Sequence, residues 1–194
     1  MNHLHFTMEP GGWLLLSLIY FLTDAEGLAV ILSNAAVHEF GHLLMLRHFR
    51  VYIRRVRFTV TGLCIDYQGL YLRRWQSVLV SLAGPAAGLS VAVLASLLGN
   101  LLGSQPLLLY AGAGLVLNGF NLLPARPLDG WGAVHALAPG VADHLSAVTA
   151  FAVLLLGLYL MHAGHGTALA FMGLALMRQG IGAKSHRNRC LIRG

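Results

Sequence analysis

The chain has 194 residues, of which 57% are hydrophobic and 10% charged. A soluble domain is roughly 45–50% apolar and about 25% charged, so this balance excludes disorder, a coiled coil and an ordinary cytosolic enzyme. The formal charge of +6 is almost all arginine, with Lys184 the only lysine. On so apolar a chain that surplus sets membrane orientation and is not a nucleic-acid footprint.

A spanning helix needs about 20 apolar residues, so this length holds five or six spans and no sizeable soluble domain. The N-terminal MNHLHFTMEP has no basic region and no A-x-A cleavage site. The first apolar run, 11–22, therefore reads as a retained anchor, short enough that it borrows residues 4–8. Further runs cover 27–46, 77–102, 107–123, 146–163 and 165–178, the last short and tilted or partly interfacial. Segment 50–76 differs: it is rich in Val, Ile, Tyr, Phe and Thr and punctuated by Gly62 and Gly69. It predicts two or three short strands, with Phe58, Val60, Leu63, Ile65 and Tyr67 alternating at period two. The expected fold class is an all-α polytopic membrane protein of about six spans, with a small membrane-associated β-hairpin between the second and third. The whole chain, 1–194, reads as one domain with a core at about 27–135.

Charge sets the topology. Arg47, Arg50, Arg54, Arg55, Arg57, Arg73 and Arg74 flank the strand segment, and Arg178, Lys184, Arg187, Arg189 and Arg193 follow the last run. The 23–26 connection is acidic and 103–106 uncharged. With the arginine-rich loop in the cytoplasm, six spans put both termini on that side as well.

Run two, LAVILSNAAVHEFGHLLML, carries His38, Glu39 and His42 inside an apolar helix. A charged residue at a helix centre costs about 2.5–3.5 kcal/mol on insertion scales, so something must offset it. Residues four apart project from one helix face, where two imidazoles can grip one zinc ion. Glu39 lies about 100° round the same turn, placed to reach a water beside the metal. The motif is H-E-x-x-H, written HEFGH. Two other readings are a buried polar cluster joining helices and a metal or proton transporter built on the same His/Glu/Asp set.

A catalytic zinc takes a third protein ligand. The candidates are Glu9, Asp24, Glu26, Asp66, Asp143 and Asp129, the last following run four in NGFNLLPARPLDGW. Pro124 and Pro127 break the helix there, and irregular backbone at membrane depth lines a cavity. His42 stands about 7 Å and His38 about 14 Å of helix rise before Arg47, so both can meet Asp129 at a similar shallow depth near the cytoplasmic face. Cys64 and Cys190 form no metal pair, and no G-x-S-x-G occurs.

HEFGH in a membrane helix, then SLAGPAAGL, then NLLPARPLDG resembles the site-2 protease family of intramembrane zinc metalloproteases. The compact layout is most similar to its sporulation-protease branch, without PDZ or CBS domains. The resemblance implies one zinc ion per chain held by His38, His42 and Asp129, with Glu39 as catalytic carboxylate. It also implies Asn121 near the site as a hydrogen-bond donor to substrate. The expected activity is hydrolysis of a peptide bond within or near a transmembrane segment of a membrane-protein substrate, in the bilayer of a bacterial or archaeal cell membrane. Trp131 departs from the pattern, standing where a second glycine often follows the LDG triplet. His135 reads as a supporting or packing residue rather than a ligand. His48, His144, His162 and His165 sit at span ends, and Gly84, Pro85 and Gly88 read as permitting close helix approach. Residues around 58–67 are expected to pair with unwound substrate as an added strand. Oligomeric state is not legible.

Overall fold

The computed structural model describes residues 5–8, 23–59, 62–68 and 72–182, with side chains for 23–51 and 72–179. Three strands, β1 (His5–Met8), β2 (Tyr52–Thr59) and β3 (Gly62–Gln68), form one sheet in the order β1-β2-β3. Its pairing is parallel between β1 and β2, with His5 opposite Arg55, and antiparallel between β2 and β3, with Phe58 opposite Leu63. Parallel neighbours need a long crossover, and here it contains helix α1 (Ala25–His48). The other helices are α2 (Arg74–Leu102), α3 (Gln105–Asn121), α4 (Asp129–Leu137), α5 (Pro139–His162) and α6 (Ala168–Gly182).

The expected fold class is corrected by this architecture. Among the described residues three helices, α1, α2 and α5, are long and apolar enough to cross a membrane, not six. Run four yields the 17-residue α3 and run six the 15-residue α6. At 1.5 Å per residue these reach only about 26 and 22 Å, short of a hydrocarbon core of about 30 Å. Run one lies outside the described residues. Residues 5–8 do not lengthen it as helix: they pair with β2, so the chain is not all-α and its sheet has a third strand from the N-terminal end. Nothing local marks that pairing, because its partner lies about 50 residues downstream.

The chain divides into two compact units. The first comprises 1–72, 83–119 and 188–194, the second 73–82 and 120–187. Within the first, α1 is inverted relative to a soluble helix. Asn34, His38 and His42, four residues apart, are buried, whereas Phe40 and Leu44 on other faces are 58% and 53% exposed. Apolar residues facing outward and polar ones inward suit a helix whose solvent is lipid. Its start is capped by Asp24, which accepts from the Gly27 N–H at 2.7 Å. Small residues let its neighbours approach: a Cβ on Gly41 would overlap the Ala83 carbonyl, and one on Gly114 the Asn34 amide. Asn34 donates to the carbonyls of Val30 (3.0 Å) and Tyr110 (3.3 Å).

Within the second unit, Ala125, Ala150 and Leu176 form a buried cluster, with Phe120, Leu128, Val153 and Met177 packed around it. α5 and α6 meet at glycines. A Cβ on Gly157 would strike the backbone of Ala170, and one on Gly173 the backbone of Leu154.

Candidate metal centre

Helix periodicity brings His38 and His42 onto one face of α1, and the structure shows their rings converging. The two Nε2 atoms stand 3.2 Å apart, the rings edge to face with centroids 4.9 Å apart. Both rings are buried, His42 at 2% exposure. Two nitrogens on one tetrahedral zinc at about 2.0–2.1 Å are separated by about 3.3 Å, so the pair already has the spacing of two ligands.

The other ring nitrogen of His38 is held by a residue that sequence reading missed. Asn118, fully buried on α3, places its Oδ1 2.8 Å from His38 Nδ1. The Asn118 amide is itself oriented, since its Nδ2 donates to the Gly114 carbonyl at 2.7 Å. With the nitrogen so engaged, the oxygen faces His38 and accepts from Nδ1–H. That selects the tautomer with a lone pair on Nε2, the form a metal needs. An asparagine within the apolar stretch LVLNGFN was the available signal.

The small residues of SLAGPAAGL make the room. A Cβ on Gly84 would overlap the His42 ring at Nε2, Cδ2 and Cε1, and one on Gly88 would overlap the Asn118 amide. Only glycine leaves space for a ring and an amide against α2 at those points.

Asp129 is the first residue of α4 and is buried, at 7% exposure. The NLLPARPLDG segment reaches it through tight turns, with Ala125 N–H bonded to the Leu123 carbonyl and Leu128 N–H to that of Ala125, both at 2.8 Å. A Cβ on Gly130 would overlap the carbonyls of Leu122 and Leu123, so the turn closes only on glycine. Among the described residues His38, His42 and Asp129 are a group that could hold a metal ion. Two imidazoles and a carboxylate, all buried, are a donor set that zinc accepts.

Glu39 is half-buried next to His38. Asn121 ends α3, half-buried, and makes no side-chain hydrogen bond among the described residues. Other acidic candidates are occupied elsewhere: Asp24 caps α1, Glu26 is exposed, and exposed Asp143 pairs with Arg126. Glu9 and the Asp66 side chain lie outside the described residues. His135 stacks on Trp131 rather than joining the ligand group, and His48, His144, His162 and His165 are exposed.

No protein-family profile matches the chain, and no curated protein matches it in sequence. Among solved structures, the Site-2 Protease from Methanocaldococcus jannaschii is similar over 100% of this chain and 96% of its own, with a TM-score of 0.69 at 17% identity. The chain thus has the fold of a site-2 protease, the family that HEFGH and NLLPARPLDG resemble.

Proposed function

We propose that the protein is an intramembrane zinc metalloprotease that cuts a peptide bond within or near a transmembrane segment of a membrane-protein substrate. The observation that carries this reading is the buried His38, His42 and Asp129 group in a chain with a site-2 protease fold. These three residues would hold the ion. When bound, zinc supplies a Lewis acid for the scissile carbonyl and lowers the pKa of water to about 7.

The remaining work falls to side chains. Asn118 keeps His38 in the metal-ready tautomer. Glu39 takes a proton from the attacking water and returns it to the leaving amide nitrogen, a role for which a half-buried carboxylate beside the ligands is suited. Asn121, with no protein partner for its amide among the described residues, donates to the substrate. Among the described strands β3 is paired on one side only, which supports addition of an unwound substrate segment at its free edge. Residues 1–194 act as one protease domain with its core at about 27–135. Both termini are cytoplasmic, and the site lies near the cytoplasmic side of a prokaryotic cell membrane.

The test is cleavage of a reconstituted single-span substrate by wild type and Glu39→Gln. Loss of a general base lowers the rate by about 10²–10⁴-fold, and zinc content should stay at one per chain. Cleavage at the wild-type rate by the variant would overturn the assignment.

A further inference from the structure

Asp129 opens a short helix. α4 has nine residues, and its N-cap, Leu128, offers no side-chain hydrogen bond. A helix that short is marginal by itself, so its first residue is only as well placed as the contacts that anchor it. Among those contacts, one set flanks Asp129 at both ends. Three residues before it, the Arg126 guanidinium donates from Nη2 to Asp143 Oδ1 at 2.6 Å, and the Arg126 backbone N–H donates to Ser146 Oγ at 2.9 Å. Both partners lie on α5, and Ser146 is buried. Two residues after Asp129, the Trp131 ring lies against the same guanidinium, with Arg126 Cζ 4.2 Å from the ring centroid. His135, one turn on, stacks on Trp131 with centroids 4.7 Å apart and ring planes 17° from parallel.

We infer that Arg126 and Trp131 are positioning residues for the metal ligand Asp129. They form a clasp that closes over the Asp129 turn and ties it to α5. This inference rests on the metalloprotease reading above. A cation against a tryptophan face gains most when desolvated, and the clasp is half-buried, with the Arg126 side chain 24% exposed. It works through ring faces: Arg126 Nε, Trp131 Nε1 and His135 Nδ1 are buried without a hydrogen-bond partner. Phenylalanine can therefore replace Trp131 without losing a bond, whereas alanine cannot supply the face. Trp131 is also where this chain departs from the LDG-Gly pattern of the family it resembles, so the clasp belongs to this sequence.

The experiment is a chelator-competition zinc titration on the full chain in detergent, with visible absorption of the cobalt form as a second readout of ligand geometry. W131A should weaken zinc binding by about 10–100-fold, the range for residues that orient ligands, and shift the cobalt bands. W131F should keep wild-type affinity and bands. Thermal unfolding of the metal-free proteins checks that each is folded. If W131A does not fold, R126Q carries the same expectation, since it changes a partly exposed side chain. Wild-type affinity and spectrum in W131A, or in R126Q where that stands in, would overturn the clasp while leaving His38- and His42-dependent zinc binding in wild type intact. An equal loss in W131F would also overturn it. A wild type that binds no zinc would overturn the metalloprotease reading and the clasp together.

Discussion

Asn118→Leu isolates the orientation of one metal ligand with little change in side-chain volume. In the wild type Asn118 Oδ1 accepts from His38 Nδ1 at 2.8 Å in a fully buried setting. Leucine removes that acceptor and also frees the Gly114 carbonyl, which Asn118 Nδ2 contacts at 2.7 Å. A buried donor left unpaired costs about 1–3 kcal/mol, so the metal-free protein should lose stability in that range. His38 then loses the contact that orients it and can carry its proton on Nε2, where it opposes a metal. Loss of such a partner costs about 10–100-fold in affinity, or about 1.4–2.8 kcal/mol. The assay is zinc competition against a chromophoric chelator, together with metal content after gel filtration. Asn118→Asp keeps an acceptor at the same place and should lose less affinity than Asn118→Leu. Equal zinc affinity in wild type and Asn118→Leu would refute the argument that this amide sets the His38 tautomer.

Two further outcomes follow from packing and pairing. Gly84→Ala places a Cβ on the His42 ring, which is 2% exposed and cannot retreat. Overpacking of this kind costs about 1–3 kcal/mol, and displacing the ring breaks the 3.2 Å spacing of the two Nε2 atoms, so both thermal midpoint and zinc affinity should fall. Ile65→Pro removes a backbone donor from β3. If substrate adds at that edge, cleavage should drop about tenfold, the worth of one or two backbone hydrogen bonds, with zinc content unchanged. Unaltered cleavage by Ile65→Pro would count against strand addition.

Features that depend on neighbours along the chain were legible in the residues. His38 and His42 share a face because four residues make about one helical turn, and the structure shows those rings converging. The outward Phe40 and Leu44 and the inward Asn34 express the same periodicity in an apolar solvent. The irregular turn before Asp129 was legible from Pro124 and Pro127, and the room left by Gly84 and Gly88 from the small-residue stretch. Among the described residues hydropathy counted more spans than there are helices long and apolar enough to cross, because an apolar run shows that a segment can be buried but not where its helix stops. α3 begins at Gln105 and ends at Asn121, 17 residues at the short end of what spans a bilayer.

The remaining contacts come from packing between distant elements. The Asn118 to His38 contact joins residues 80 positions apart, and β1 meets β2 across the whole of α1. Arg126 finds Asp143 and Ser146 on α5, and Trp131 covers Arg126, through packing that no local period encodes. Such contacts are made when separate elements dock, and their partners are chosen by shape and by the need to satisfy buried polar groups. A single sequence shows the groups that need partners; the fold assigns them.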